Sequence, residues 1–505
     1  MRLNILIGGK AGQGINAVSG IVSSILARWG YFTFNYRDYP SLIRGGHNFN
    51  VLSVSDERVG SHESKIDGIV AMDENTISIH KSELKKGGFV IGFKEFESLG
   101  RNLNIALAGA LIKVLGIDKN LLIEEVEKQF HSKEANDAAE KGYNSEKDKF
   151  SLKKLNKKIS IMTGSEGIAQ GAINSGIDLY ISYPMTPATP VLHELASRQE
   201  KNGFMVFQPE NEIAVANAGL GASFAGAKVM IGSSGGGFDL MTEALSLQGQ
   251  TEIPLVVYLA SRPGPSTGLP THTSQGDLDV ALRAGHGEFP RVVVAPGDPI
   301  EAIEKTNEAF YLSEKFGCLS IILSDKHLAE GEFSFDNSPH KPLKIEVKRK
   351  VPGEAIVKAN SYEHDEKGNT TEEIEIVNKN VEKRLKKYEE IKKECKKFEM
   401  FKIFGNKNSK NLIIAWGSTK CVILDAIKNL DYKFLQVLYI KPLSDEIEAE
   451  IKKAKKVIFI EQNVTGQLGR LIREKCGISI KNRILKYDGR PFTSDELKKE
   501  IQKII

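Results

Sequence analysis

LASRPGPSTGLPTHTSQGDL, residues 259 to 278, follows EIPLVVYLA, an apolar run rich in β-branched residues that reads as a buried strand. After the strand come Arg262, three prolines, two glycines and a row of hydroxyls. Pro263, Pro265 and Pro270 fix φ and remove backbone donors, while Gly264 and Gly268 permit turns closed to other residues. The segment therefore reads as a shaped loop at a strand's C-terminal end, where open α/β sheets bind ligands. Arg262 then offers a guanidinium fork to a carboxylate or phosphate. The plainer alternative is a surface loop with an ordinary arginine.

On either side of this stretch, strand and helix patterns alternate. ISIMTGSEGIAQGAINSG, LYISYPMTPATP, FMVFQPENEIAVANAGLGASFAG, AKVMIGSSGGGFDLMTEALSLQGQ, RVVVAPGDPIEAI and CLSIILSDKHL read as successive βα units. That alternation predicts a parallel sheet covered by helices, over residues 159–335. In Tyr183-Pro184-Met185-Thr186-Pro187, two prolines hold a threonine on a stiff backbone. Glu210 and Glu212 fall at a strand-to-helix junction, where a carboxylate also serves simply as a dipole partner.

The N-terminal LNILI, GGKAGQG and INAVSGIVSSILARWG read as strand, glycine turn and helix, an arrangement that can cradle phosphate. It meets neither the GxGxxG nor the GxxxxGK[ST] register, so a tight turn without ligand stays equally open. Arg44, Gly45, Gly46 and His47 form a second cluster before an alternating strand. This first unit is α/β over 1–150. Residues 336–404 form a charged connector whose second part reads as an exposed helix with i,i+4 charge pairs. A last small α/β unit covers 405–505.

A chain of 505 residues holds about three domains at ~150 residues each. A net charge of +4 with acids interleaved throughout excludes a general nucleic-acid surface. Cys318, Cys395, Cys421 and Cys476 form no CxxC pair, which argues against zinc or iron–sulfur sites and for a reducing, cytoplasmic compartment. No apolar run reaches the ~18 residues that span a bilayer, so no membrane role is expected.

Taken together, the motifs resemble the 2-oxoacid:ferredoxin oxidoreductases, specifically the fused γα subunit, over nearly the whole chain. YPMTP at 183–187 is similar to the family's YPITP, and SSGGGFDLMTEAL at 233–245 to its TSGPGFSLMTEAL. RPGPSTGLPTHTSQGDL resembles its arginine loop. EHDEKGNTTE at 363–372, VEKRLKK at 381–387, WGST at 416–419, EQNVTGQL at 461–468 and YDGRPF at 487–492 recur in such subunits. GGKAGQGI with SLIRGGHNFN resembles the γ domain.

The resemblance implies a multidomain α/β chain. A γ domain over 1–150 would have a possible CoA contact through Gly12, Gly14 and Arg44. A doubly wound, pyrimidine-type thiamine diphosphate domain would follow over 159–335, then the connector over 336–404 and a transketolase C-terminal-like domain over 405–505. It implies oxidative decarboxylation of a 2-oxoacid with CoA. Thiamine diphosphate would be shared with a β subunit that brings Mg2+ and a 4Fe–4S cluster, with ferredoxin as acceptor and a hetero-oligomeric enzyme as the result. Glu212 matches the carboxylate that activates the cofactor, with Glu210 as runner-up. Arg262 matches the residue that holds the substrate carboxylate, and Thr271 and Thr186 match substrate-side threonines. Tyr183 and Pro184 would shape the pyrimidine pocket. No metal site is expected on this chain.

Four positions depart from the pattern: Met185 for Ile, Gly236 for Pro, Asp239 for Ser, and His272 where Lys or Arg is common. The last bears on substrate, because histidine offers a distal carboxylate a cation only when protonated. 2-Oxoglutarate is the first expectation, with a branched-chain, aryl or pyruvate-type 2-oxoacid as the alternative. From another class, the rival is a non-catalytic CoA- or nucleotide-binding scaffold, which the presence of Glu212 and Arg262 disfavours.

Overall fold

The computed structural model describes residues 1–41, 46–346 and 349–504. They divide into two units, each with its own core.

In the first unit, a seven-stranded sheet runs in the order Leu84–Ile91, Ile66–Ala71, Arg2–Lys10, His47–Ser55, Phe32–Asp38, Glu332–Phe335, Ser160–Thr163. Arg2–Lys10 lies antiparallel to His47–Ser55 and parallel to Ile66–Ala71, so the sheet is mixed. The apolar face of helix Ile15–Arg28 (Val18, Ile21, Val22, Ile25) is buried with helix Leu103–Val114 in one cluster. Two boundaries differ from the sequence reading. Ser160–Thr163, read as the first strand of the 159–335 sheet, pairs instead with Glu332–Phe335, and the two extend this one. Both are four residues long and only partly buried, which suits the margin of a sheet and not a buried parallel core, with Ser160–Thr163 the edge strand. Residues 492–500 also belong to this unit and not to the last domain.

The second unit contains two sheets. The larger runs Tyr439–Lys441, Arg291–Val294, Leu319–Asp325, Leu255–Ser261, Val229–Ser233, Leu179–Ser182, Met205–Phe207. All neighbours are parallel except the first pair. Leu255–Ser261, expected as a buried strand, is buried at every position. The smaller sheet runs Phe401–Gly405, Lys433–Val437, Asn411–Trp416, Lys456–Glu461, Asn482–Leu485, parallel apart from its first strand.

A buried ionic cluster joins the two sheets. Lys420 pairs with Asp298 and lies 2.6 Å from Glu301, and Gln436 Nε2 donates to Glu301 at 2.6 Å. Burial alone would push the Glu301 carboxyl up, yet Lys420 and Lys402 hold it down at about 2.

The connector helix is Ile374–Cys395. Its cations reach outward rather than along the helix. Lys383 and Lys387 both pair with Glu252 at 2.5 Å, and Arg384 pairs with Glu363. The i,i+4 periodicity thus marked an exposed helix correctly, but its charges clasp neighbouring segments.

His62 gives the first unit a pH dependence. Its ring stacks on Tyr36 at 4.7 Å, its Nδ1 is buried without a partner, and burial with Arg2 nearby lowers its pKa to about 4. The folded state keeps this ring neutral, so the unfolded state binds more protons between pH 6.5 and 4. Stability from this group is complete above 6.5 and falls as pH drops through that window, by at most about 3 kcal/mol. Thermal melts from pH 7 to 5 should show a smaller Tm loss in His62→Gln than in the wild type. Parallel losses would exclude His62 as the titrating group.

Candidate active site

Four parallel strands of the larger sheet end side by side, and the motif residues follow the C-terminal ends of three of them. Ser182 is in register with Gly232, Leu259 with Ser233, and Ser261 with Asp325. This alignment brings the loops at 183–188, 233–237 and 262–277 to one edge of the sheet.

Glu212 opens the helix Glu212–Phe224, with Asn211 as N-cap accepting from Ala214 N at 2.9 Å. The cap is therefore occupied by Asn211, and Glu212 is left free for another role. Its side chain is 3 % exposed and takes a long 3.5 Å hydrogen bond from Ser233 Oγ. Ser233 Oγ also lies 3.9 Å from Met185 Sδ, which links the carboxylate to the YPMTP loop. Gly237 faces the same carboxylate. A Cβ there would stand 2.4 Å from Glu212 Oε1 and 2.1 Å from Ser233 Oγ, so only glycine fits. Glu210 is exposed and lies before the helix.

Arg262 Nη1 donates to Thr186 O at 2.8 Å, which joins the arginine loop to the YPMTP loop. Burial lowers the guanidinium pKa, opposed by the charges of Asp277 and Glu212. Its Nε is buried without a hydrogen-bond partner. Glu212, Thr186 and Arg262, expected to act together, are thus one neighbourhood. Tyr183 and Pro184 are exposed beside it. Thr271 is buried in the same loop, with its hydroxyl 3.2 Å from His272 Nδ1 and no bond to Arg262 or Glu212.

Sequence reading passed over Asp277. Its Oδ2 is buried without a partner, and a Cβ on Gly235 would stand 2.7 Å from it. Burial raises its pKa to about 6, Asp239 pushes the same way, and Ser261 and Arg262 pull it down. An acid between a proline-rich loop and a helix start was the available signal, but it reads equally as the N-cap of Leu278–Arg283.

In the first unit, Gly12 and Gly14 adopt φ of 88° and 86°. Gly14 precedes the helix Ile15–Arg28, whose first turn has no side-chain cap and no acid. A Cβ on Gly14 would lie 2.3 Å from Asn104 Nδ2. The turn is therefore closed to other residues and leaves helix N–H groups for an anion. Arg44 lies outside the described residues. His47 and His80, which the sequence did not join, face each other at 2.8 Å between Nε2 atoms.

A buried carboxylate against a glycine-rich helix start, with an arginine loop beside it, fits the pyrimidine half of a thiamine-binding site. Comparison with known proteins agrees. Residues 170–399 match the family described as pyruvate flavodoxin/ferredoxin oxidoreductase, thiamine diphosphate-binding, and residues 4–100 match pyruvate ferredoxin/flavodoxin oxidoreductase. The chain is 31% identical to the 2-oxoacid:ferredoxin oxidoreductase subunit alpha of Sulfolobus sp, with 100% of this chain and 97% of that one covered. It is 31% identical to the 2-oxoglutarate synthase subunit KorA of Methanocaldococcus jannaschii over 63% of this chain and 92% of that one. A solved 2-oxoglutarate:ferredoxin oxidoreductase from Magnetococcus marinus, with 2-oxoglutarate, coenzyme A and succinyl-CoA bound, superposes with a TM-score of 0.91 at 26% identity, covering 99% of each chain. This is an oxidoreductase chain of the thiamine-dependent class. It belongs to the 2-oxoacid:ferredoxin oxidoreductase family, as an alpha subunit. Among the described residues no helix is long and apolar enough to cross a membrane.

Asp277 should cost stability at neutral pH. Its folded pKa of about 6 lies above the ordinary ~3.9, so the folded state binds more protons between those values and stability falls as pH rises through them. Asp277→Asn should be more stable than wild type at pH 7.5, by up to about 3 kcal/mol. The gain should vanish below pH 4, as read from melts at the two pH values.

Proposed function

We propose that this chain provides the pyrimidine side of the cofactor site in an enzyme that oxidatively decarboxylates 2-oxoglutarate with CoA. The observation that carries it is the buried Glu212 carboxylate, weakly bonded within the chain and facing the Cβ-free Gly237. Thiamine diphosphate, when bound, supplies the carbon nucleophile that attacks the 2-oxo group. In this reading Glu212 hydrogen-bonds the pyrimidine N1′. A charge-assisted bond in a water-poor pocket is stronger than a neutral one in water. Gly237 lets the helix start pack directly against the carboxylate, and Tyr183 and Pro184 form the rim of the cofactor's pocket. Arg262 grips the substrate's 1-carboxylate through its fork, with Thr186 and Thr271 on the substrate side. CoA is held through Gly12, Gly14 and Arg44 of the first unit, supported by the uncapped helix start.

A β subunit contributes the diphosphate-bound Mg2+ and the 4Fe–4S cluster, and ferredoxin takes the electrons. Exposed Tyr183, Ile213, Leu240 and Leu269 around the motif loops support a partner on this side. The free cysteines support a cytoplasmic setting. The choice of 2-oxoglutarate is supported by the KorA relative and the Magnetococcus marinus structure. His272 favours keeping a less acidic 2-oxoacid as the second reading, since a neutral imidazole holds a distal carboxylate weakly.

A panel of 2-oxoacids with the assembled enzyme and a viologen acceptor tests the substrate; a higher kcat/KM for pyruvate or a branched-chain acid would overturn it. Glu212→Gln should fold and bind the cofactor, yet exchange its C2 proton on the order of 100-fold or more slowly, by deuterium quench and NMR. Normal exchange there, with slow exchange in Glu210→Gln, would give the role to Glu210. Arg262→Ala should cost about 2–4 kcal/mol in kcat/KM for the oxoacid.

A further inference from the structure

The arginine loop leaves its strand at Ser261, and residues 264–269 are exposed. Its other end is anchored around one buried side chain. Gln275 is fully buried. Its Nε2 donates to Trp416 O at 2.8 Å, and its Oε1 accepts from Gln462 N at 2.9 Å. Its backbone N–H donates to Gln462 O at 2.8 Å, and its carbonyl accepts from Asn463 Nδ2 at 2.9 Å. Every polar group of this residue is thus taken up by the smaller sheet, at the ends of strands Asn411–Trp416 and Lys456–Glu461.

Neighbouring contacts follow the same pattern. Thr273 N donates to Gly489 O at 3.0 Å, and Gln467 Nε2 donates to Gly276 O at 2.7 Å. Gly489 backs the loop so closely that a Cβ would lie 3.0 Å from Leu269 and 3.2 Å from His272.

We infer that Gln275 is a positioning residue: through it the smaller sheet sets where the 259–278 loop, with Arg262 and Thr271, stands over the strand ends. The inference rests on reading that loop as the substrate's. The geometry explains why an amide is needed. Gln275 must both donate and accept at one site, which neither an ionised Glu nor Met can do. Losing its side chain leaves the buried Gln462 N–H without its partner and removes one of the two donors to Trp416 O, the other being Thr419 Oγ1, so the loop's anchor is loosened and the loop can shift. Displacement of a binding group by ~1 Å can cost on the order of 100-fold in rate.

The test compares variants in the assembled enzyme. Gln275→Met should lower kcat/KM for the oxoacid on the order of 10- to 100-fold, mainly through KM, and leave the KM for CoA unchanged. Gln275→Asn, which keeps the amide but is too short, should give an intermediate loss and guards against a Met variant that fails to fold. Gln436→Met is the control. It removes a bond from the smaller sheet to Glu301 on helix Pro299–Phe316, away from the loop, and should lower Tm while sparing the oxoacid KM. Combined with Arg262→Lys, Gln275→Met should cost less than the product of the two single losses, because both act on one contact. Fully multiplicative losses, or an oxoacid KM that moves equally in Gln436→Met, would overturn the positioning role. Arg262→Lys alone with wild-type kinetics would instead remove the arginine from the site and leave the Gln275 comparison standing.

Discussion

The site depends on the register of a parallel sheet. Strand Leu255–Ser261 is buried on both faces, with neighbours hydrogen-bonded on both sides, so it can neither slide nor fray without exposing its whole apolar surface. Its register with Val229–Ser233 and Leu319–Asp325 fixes where each chain leaves the sheet. Once those exits are aligned, loops far apart in sequence have little choice but to meet. The Arg262–Thr186 hydrogen bond is a consequence of that alignment.

Glycine then decides what can approach. Helix Gly235–Thr251 begins with three consecutive glycines, which weakens its first turn. The cost is repaid sterically at Gly237, where any side chain would strike Glu212 and Ser233. A departure from the family pattern, Gly236, lies in the same turn but has open space, with the nearest atom 3.9 Å away. The two neighbours show why a glycine's meaning has to be read from its surroundings: one is compelled by a carboxylate, the other by nothing in the chain.

Much of this was legible in the sequence. Strand–helix alternation, the proline-bracketed threonine and the loop after LVVYLAS carried the parallel sheet and its active edge. Arg262 stood out from the shaped loop it opens, whereas Glu212 stood out only through the family resemblance, since a strand-end acid reads equally as a dipole partner. The short strands at 160–163 and 332–335 were not legible, since four partly buried residues carry no periodicity that says which sheet they join. Strands Phe401–Gly405 and Asn482–Leu485 escaped for the same reason. Gln275 lay in the quoted loop, but a glutamine among threonines and serines announces nothing. Its weight comes from Trp416, Gln462 and Asn463, residues more than a hundred positions away that only the fold brings to it.

Buried acids show how structural and chemical roles part company. Glu461 and Asp277 both carry raised pKa values, to about 7 and about 6, and burial is the main cause for each. Glu461 is answered from within. It accepts from Trp416 Nε1 at 2.7 Å and from Leu468 N at 3.2 Å, which ties a strand end to the start of helix Gln467–Cys476. Such a carboxyl is a joint between elements, and its hydrogen bonds account for its presence. Asp277 keeps one buried oxygen without a partner, within the electrostatic reach of Arg262. An unanswered acid is expensive, and folding offers no reason to keep it where asparagine would serve. Its charge acts on Arg262 through space and not through a hydrogen bond, raising the guanidinium pKa that burial lowers.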